Sequence, residues 1–450
     1  RRNVPVNLGL GGDNDRAWNE LKQNNKQKKQ QIMSKKIKLA GMVAMLSMTF
    51  VSCSNDELKE AYQGEKITFT TKVGASRAQV INGVADLESF RVHAEMGGDK
   101  PFLDHVKAER ASSADATGIY KLTGISDNEA MWPEGVNEIE FWAYGPEQVG
   151  QPSHDGSSKI LHFEKFSPQD SPAAQVDIVV AYAKSKKTSG AIPLTFHHAL
   201  SQVEVKARCG DDSKHVMIKA AYIVNLKKEG ELRYTSQNDT HLEWNPGSEV
   251  KYYGTSFDVI TLEDKENNGK KVYQGLLAEP VDEQKGSKSG TGLMMIPQDI
   301  TALNEDMDNK GVYIAMYCRI ESHHSGNYEN SHIGEKDPFV KDFADGGSVY
   351  HHHQLYPKTG TGYDSNAYAY TCVPITAPDG KWEPGKKYIY NLNFFDGGSG
   401  GGIVPPTDSG LPDTGNEGDK PGHPVVEEPI SFTVTVEDWT EADVKDPSMN

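Results

Sequence analysis

Residues 66–73, KITFTTKV, alternate apolar or aromatic side chains with polar ones, and this pattern recurs along the chain. A period of two residues is typical of a β-strand that buries one face and exposes the other. Similar runs, bounded by Gly, Pro, Asn and Asp, occur at 89–94, 138–144, 202–207, 312–320, 388–394 and 430–436. No long amphipathic helical pattern is present. The sequence therefore predicts an all-β protein made of antiparallel sandwiches.

A candidate export signal, MSKKIKLAGMVAMLSMTFVSC, occupies residues 33–53. It combines a start at Met33, a lysine-rich n-region and an apolar h-region at 39–48 that is too short to span a bilayer. Cys53 follows a small serine, which predicts cleavage before Cys53 and lipidation of its thiol. An ordinary cleaved signal with an incidental cysteine is the alternative. The polar, acidic residues 54–57 resemble the signal that sends Bacteroidetes lipoproteins to the outer face of the outer membrane.

The charge of the chain is strongly negative. Asp and Glu number 64 against 47 Lys and Arg, a formal net charge of −17 at pH 7. An acidic surface repels phosphates, so no nucleic-acid partner is expected.

Changes in composition divide the chain. A polar break lies at 184–190, and 397–428 is rich in Gly, Pro, Asp and Ser, which predicts a flexible, partly extended tether. The predicted segments are upstream translation from a misplaced start (1–32), a lipoprotein signal peptide (33–52), an acidic tether (53–65), an N-terminal β-sandwich (66–187), a C-terminal β-sandwich (188–396), a Gly/Pro-rich linker (397–429) and a terminal strand (430–440).

The terminal strand is isolated behind that linker. A lone strand is unstable and has to pair with an open sheet edge, either of its own chain or of a neighbouring molecule. In the second case it would be a donor strand that adds main-chain hydrogen bonds to another subunit. The candidate donor residues are Ile430, Phe432, Val434, Val436 and Trp439.

Motifs for catalysis are not found. The sequence has no Gly-rich phosphate loop, nucleophile elbow or HExxH motif, so we expect no enzyme activity and no cofactor. The histidine-rich stretch, which includes His351, His352 and His353, could bind zinc or copper. Its neighbours are Asn, Ser, Gly and Asp, which favours a long polar loop without metal, and binding through these three histidines is kept as the weaker alternative.

Cysteine and tryptophan have structural and functional interpretations. Three cysteines remain after Cys53, and an odd number in an oxidising compartment allows at most one disulfide. Buried thiols are favoured, with a bridge between Cys318 and Cys372 as the alternative. The tryptophans are interpreted as core or turn anchors rather than sugar-binding platforms.

Five segments of the chain are DIVVA (177–181), LTFHHALSQV (194–203), LMMIPQ (293–298), WEPGKKYIY (382–390) and VTVEDW (434–439). In this order along the chain they resemble segments of the fimbrillin-like family of type V pilus proteins from Bacteroides and relatives. Within LTFHHALSQV, His198 follows Phe196 at strand spacing. We predict that His198 is a buried, hydrogen-bonded structural residue.

The resemblance implies two transthyretin-like sandwich domains and assembly by strand exchange. In that scheme an Arg-specific protease cuts at Arg77 and removes the strand that carries Ile67, Phe69, Thr71 and Val73. The alternative that Arg77 lies in a surface loop and is not cleaved is also kept, because anchor subunits keep their lipid. The implied partners are other pilin subunits, the outer membrane through the lipid, and a host glycan or protein receptor. The implied location is the cell surface and its fimbriae, while stalk, anchor and tip roles stay open.

A second function is considered as the alternative to a pilus subunit. It is a non-enzymatic outer-membrane surface lipoprotein that binds glycans through its tryptophans.

Overall fold

The computed structural model describes residues 65–73, 87–96, 101–110, 118–155, 159–187, 190–235, 242–277, 292–304, 306–307, 310–345, 347–412 and 419–438. They all belong to one structural unit, Gln63–Asn450. Cys53, Arg77, Trp439 and the predicted signal peptide lie outside the described residues. No helix in the described ranges has the length and apolar character needed to cross a membrane.

Strands make up most of the described chain. They are β1 (Thr68–Val73), β2 (Ser89–Glu95), β3 (Leu103–Arg110), β4 (Ile119–Thr123), β5 (Glu138–Gly145), β6 (Ser153–Asp155), β7 (Ile160–Phe166), β8 (Val179–Lys186), β9 (Ile192–His198), β10 (Ser201–Cys209), β11 (Lys214–Lys227), β12 (Gly230–Thr235), β13 (Leu242–Pro246), β14 (Val250–Leu262), β15 (Glu266–Asn267), β16 (Lys270–Lys271), β17 (Gln274–Leu277), β18 (Leu293–Met295), β19 (Tyr313–Ser325), β20 (Val340–Asp345), β21 (Ser348–Tyr356), β22 (Ala369–Pro374), β23 (Lys386–Phe394) and β24 (Ser431–Asp438). One short helix, α1 (Tyr328–Ser331), and 3₁₀ turns at Glu147–Val149, Pro172–Ala174 and Pro378–Gly380 complete the elements. The all-β prediction is confirmed.

The N-terminal strands close on themselves in the order β1-β4-β3-β2-β5-β8-β9, which we call the N-terminal barrel. The closing strand is β1, which pairs antiparallel with β4 and parallel with β9. Aromatic side chains fill the interior, among them Phe69, Phe90, Phe141 and Phe196, each at most 2% exposed. β9 lies C-terminal to the break at 184–190 and nevertheless pairs with β8 and β1 inside this barrel.

Two larger sheets form the C-terminal part. One has the order β17-β10-β23-β24, with β18 also on β10; the other has the order β14-β11-β19-β21-β20, with β22 on β19. Their inner faces share one core, in which Val205 and Tyr390 of the first sheet join Ile218 and Ile314 of the second. Burial of apolar side chains from both sheets is the main stabilising contribution here.

A four-stranded sheet, β13-β12-β7-β6, contains hairpins from both halves of the chain. Leu232 of β12 lies opposite Phe163 of β7. Trp142 and Leu161 from the first half pack in the same cluster as Leu232 and Met294 from the second. The two halves therefore share backbone hydrogen bonds and a core.

The described part of 397–429 is packed, which differs from the flexible tether that its composition predicts. Ile403 pairs with Cys372 of β22 through two backbone hydrogen bonds of 2.8 and 3.1 Å. Ile403 and Leu411 enter a cluster with Tyr313 and Tyr370. Gly402 has a φ of +93°, and a Cβ there would lie 2.2 Å from Thr371 Oγ1. A few spaced apolar residues and glycines thus hold this segment against the sheet.

Candidate assembly surfaces and histidine clusters

The five segments that carry the family resemblance are neighbours in space. The segment 194–203 contains most of β9, the connection at Ala199 and Leu200, and the first three residues of β10. β10 pairs with β18 and runs parallel to β23, which in turn pairs with β24. Leu200 O accepts a hydrogen bond from Gly385 N at 2.9 Å, and Ala199 N donates to Ile178 O at 2.8 Å. These segments form the crossing between the barrel and the C-terminal sheets.

β1, the strand predicted to be displaced, occupies the slot between β4 and β9. Ile67, Phe69 and Thr71 point inward with exposures of 4%, 0% and 7%. Phe69 makes edge-to-face contacts with Phe90 and Phe141 at centroid distances of 5.9 and 5.5 Å. The backbone of Val73 pairs with Phe196. Removal of β1 would leave a slot with aromatic walls and two strand edges.

β24, the predicted donor strand, lies at the end of its sheet and pairs antiparallel with β23 of its own chain. Ile430 is buried, Phe432 and Val434 are half-buried, and Val436 is 40% exposed. Phe432 lies 6.1 Å from the Tyr390 ring. β24 is consequently an edge strand whose inward face is only partly covered.

The first and the last of the described strands share a sequence pattern, which alternation within either strand alone does not reveal. Residues 67–73 read ITFTTKV and residues 430–436 read ISFTVTV, so the first, third, fourth and seventh positions are identical. The inward side chains of β1 are Ile67 and Phe69, and the inward face of β24 begins with Ile430 and Phe432. Direct comparison of the two ends would have found this signal.

The prediction for His198 is confirmed. Its ring is 4% exposed, and Nδ1 lies 2.7 Å from Oδ2 of Asp177, which is fully buried. Because a carboxylate only accepts, Nδ1–H donates to it. Phe196 is buried on the same face of β9. This pair fixes β9 against the start of β8.

Among the described residues, three tryptophans and three cysteines are buried, and Trp244 is half-buried. Trp132, Trp142 and Trp382 are at most 2% exposed, which confirms their assignment to the core, and Trp244 Nε1 donates to Ala199 O at 2.7 Å. Cys209, Cys318 and Cys372 are buried free thiols. Burial raises the pKa of Cys209 to about 11.

The prediction of a long polar loop for the histidine-rich region is wrong. β19 continues to Ser325, α1 follows, and β20 and β21 form a hairpin on β19. The sequence of β21 shows no alternation of apolar and polar residues there, because histidines occupy both its inward and its outward positions. Strand alternation then separates the three consecutive histidines. His351 and His353 lie near His332, whereas His352 Nδ1 lies 2.9 Å from Glu321 Oε2.

A second histidine cluster, which we call the barrel cluster, joins His93 of β2 and His105 of β3, both in the N-terminal barrel, to His154 of β6 in the four-stranded sheet. His93 and His154 stack at a centroid distance of 4.0 Å, and His93 lies 5.0 Å from His105. Burial, followed by the charge of a neighbouring histidine, lowers the pKa of His105 and of His154 to about 4. The same causes lower the pKa of His93. These rings are therefore neutral at pH 7.

Acid is expected to destabilise the protein through this cluster. An unfolded histidine binds its proton near pH 6.5, whereas the folded His105 and His154 do so only near pH 4. Stability is therefore lost as the pH falls from about 6.5 towards 4, by about 2 kcal/mol per histidine at pH 5. Urea unfolding at pH 7.5 and pH 5 measures this loss.

His154→Gln should reduce the loss between the two pH values by about 2 kcal/mol. His423, which is exposed, supplies the control. His423→Gln should leave the pH dependence unchanged. An identical slope for His154→Gln and the original protein would contradict the prediction.

Comparison with known proteins identifies the family. The fimbrillin-like family model matches residues 76–439, so the chain belongs to the fimbrillin-like family. Membership supports a pilin-like or adhesive, structural role at the cell surface. A search of curated proteins found no match.

Solved structures were also compared. A candidate cell adhesion protein from Parabacteroides distasonis has 11% identity and a TM-score of 0.44 and covers 84% of this chain and 98% of its own. One from Bacteroides ovatus has 12% identity and a TM-score of 0.40, covering 84% and 99%.

Proposed function

We propose that this protein is a surface lipoprotein subunit of a type V pilus that assembles by β-strand exchange. The observation that carries the proposal is the match between the two terminal strands. β1 closes the barrel with Ile67 and Phe69 inward, and β24 presents Ile430 and Phe432 at the same spacing from a sheet edge. A strand with the same inward residues is suited to replace β1 in another molecule.

In the proposed sequence of events, Cys53 carries the lipid and an Arg-specific protease cleaves after Arg77. The cleaved molecule loses β1 and exposes the slot between β4 and β9. β24 of a second molecule then enters that slot, with Phe432 in the position of Phe69. The new main-chain hydrogen bonds and the aromatic contacts replace those that β1 made.

The departure of β24 from its own sheet is compatible with its contacts. Its side chains from Ser431 to Asp438 are exposed or half-exposed, and its attachment includes the exposed ion pair between Lys386 and Asp438. Exposed pairs contribute little stability. Because β24 has a neighbouring strand on one side only, its release breaks fewer main-chain hydrogen bonds than the extraction of a central strand of equal length.

Cleavage with an Arg-specific protease is expected to convert the monomer into a ladder of oligomers that resists detergent. Arg77→Gln should abolish the ladder, and so should a chain that ends at Pro429. Phe432→Ala should greatly reduce the ladder, because it removes the aromatic side chain that takes the position of Phe69 in the slot. The bands are followed on unheated detergent gels.

Thr433→Ala, on the exposed face of β24, is the matched control and should leave the ladder intact. The proposal fails if cleaved protein stays monomeric, or if ladders form equally well without residues 430–450.

A further inference from the structure

Three imidazoles converge at the histidine hairpin of the C-terminal sheets. His351 and His353 alternate on β21, and His332 follows α1. One ring nitrogen of each residue lies within 4.8 Å of those of the other two, and Nε2 of His332 lies 3.3 Å from Nε2 of His351. Ligand nitrogens around a tetrahedral zinc ion, with bonds of about 2.0–2.1 Å, are separated by about 3.3 Å.

The three rings meet at steep angles. The interplanar angles are 88° between His332 and His351, 74° between His332 and His353, and 64° between His351 and His353. Rings in this arrangement can direct nitrogens to a common point. The barrel cluster differs, because His93 and His154 stack at only 27°.

Each of the three rings also has an acceptor beside its other nitrogen. Nδ1–H of His351 donates to Gly326 O at 2.8 Å. Nδ1 of His332 lies 3.4 Å from Glu335 Oε2, and Nδ1 of His353 lies 3.8 Å from Asp337 Oδ2. Carbonyl or carboxylate groups at this position orient metal-binding histidines and raise their basicity.

Nε2 of His353 is buried and has no hydrogen-bond partner among the described residues. A buried polar atom without a partner costs free energy unless a ligand satisfies it. The orphaned nitrogen belongs to the ring triad, so it is an independent indication of a ligand there.

The position of His332 is held by side chains of the hairpin. Asp342 accepts hydrogen bonds from Asn327 Nδ2 at 2.7 Å and from Tyr328 N at 2.9 Å. The Tyr328 ring stacks on His332 at 4.8 Å. α1 is thereby fixed to β20, which places His332 over the two strand histidines.

We propose that His332, His351 and His353 bind one borderline divalent transition-metal cation, of the zinc or copper class, through their Nε2 atoms. Imidazole ligands favour these cations over magnesium or calcium. Three protein ligands leave a fourth coordination position free for water or another ligand. The exposed His324 ring lies nearby, 5.2 Å from the His353 ring and 5.4 Å from the His351 ring. The site corresponds in part to the histidines named in the sequence, with His332 in place of His352.

Calorimetric titration of the protein, without a polyhistidine tag, with Zn²⁺ is expected to show one site with a dissociation constant of about 1 µM or tighter. Mg²⁺ should not bind there. His332→Ala and His353→Ala should weaken zinc binding by more than about 100-fold, and Asp337→Asn by about 10–100-fold. His332 is on a surface segment, so its variant should fold even if substitution of the buried His351 is not tolerated.

His352→Gln is the matched control, because His352 is adjacent in sequence and faces Glu321. It should bind zinc like the original protein. Zinc binding weaker than about 100 µM, or a loss in His352→Gln equal to that in His332→Ala, would overturn the assignment. Thermal unfolding of each metal-free variant checks that the fold is intact.

Discussion

Phe69→Ala is expected to lower the free energy of unfolding by about 3–5 kcal/mol. Phe69 is fully buried and touches two other aromatic rings, so its truncation removes apolar burial and leaves a cavity in the barrel. Thr70→Ala, on the half-exposed face of the same strand, should change stability by less than about 1 kcal/mol. Denaturant unfolding of the uncleaved chain measures both.

Phe69→Ala also tests the proposed strand exchange, independently of its effect on the stability of the uncleaved chain. If β1 leaves the barrel on cleavage, Phe69→Ala should speed the appearance of oligomers, since less binding energy then retains the cleaved strand. The finished oligomers should match the original in detergent resistance, because the strand is no longer in them. Oligomers that are weakened by Phe69→Ala would show that β1 stays in the slot.

Glu321→Gln is expected to cost about 3 kcal/mol or more. Arg319 and Glu321 are 2% and 3% exposed, and Arg319 Nε donates to Glu321 Oε1 at 2.7 Å. Burial opposes ionisation of Glu321, but the hydrogen bond from His352 and the charge of Arg319 hold its pKa below the usual value. Loss of the carboxylate leaves the guanidinium buried without a countercharge.

The control for Glu321→Gln is Glu249→Gln, whose exposed carboxylate lies 2.7 Å from Lys228 Nζ, and it should have little effect. Replacing Arg319 with Met and Glu321 with Leu together should recover much of the stability, since no charge is then left unpaired. Similar Tm values for Glu321→Gln and Glu249→Gln would contradict this account.

Much of the strand arrangement could be predicted from local pattern. The alternation at 138–144 and 388–394 corresponds to β5 and β23 within a few residues. Such strands bury one apolar face, so their composition carries the signal. The family resemblance could also be read from the sequence, because it rests on the order of five segments along the chain. In the structure these segments form neighbouring strands around Leu200.

The remainder depends on contacts between distant residues. Parallel pairing of β1 with β9 leaves no trace in either strand's own pattern. The alternation of His351, His352 and His353 was hidden because polar residues face inward there. The position of His332 depends on the anchoring of α1 by Asp342, which linear spacing does not reveal.

The parallel pairing of β1 with β9 also governs the order in which the barrel folds. Of the strands described in the barrel, the first along the chain pairs with the last, so ring closure has to wait until almost the whole barrel sequence is made and is entropically slow. Until then the newly made sheet is open, and the backbone groups of its two edge strands are unpaired. At high local concentration, the terminal strand of one newly made molecule can therefore pair with the open edge of another before either barrel has closed. A chaperone that covers these edges would suppress this premature domain swapping.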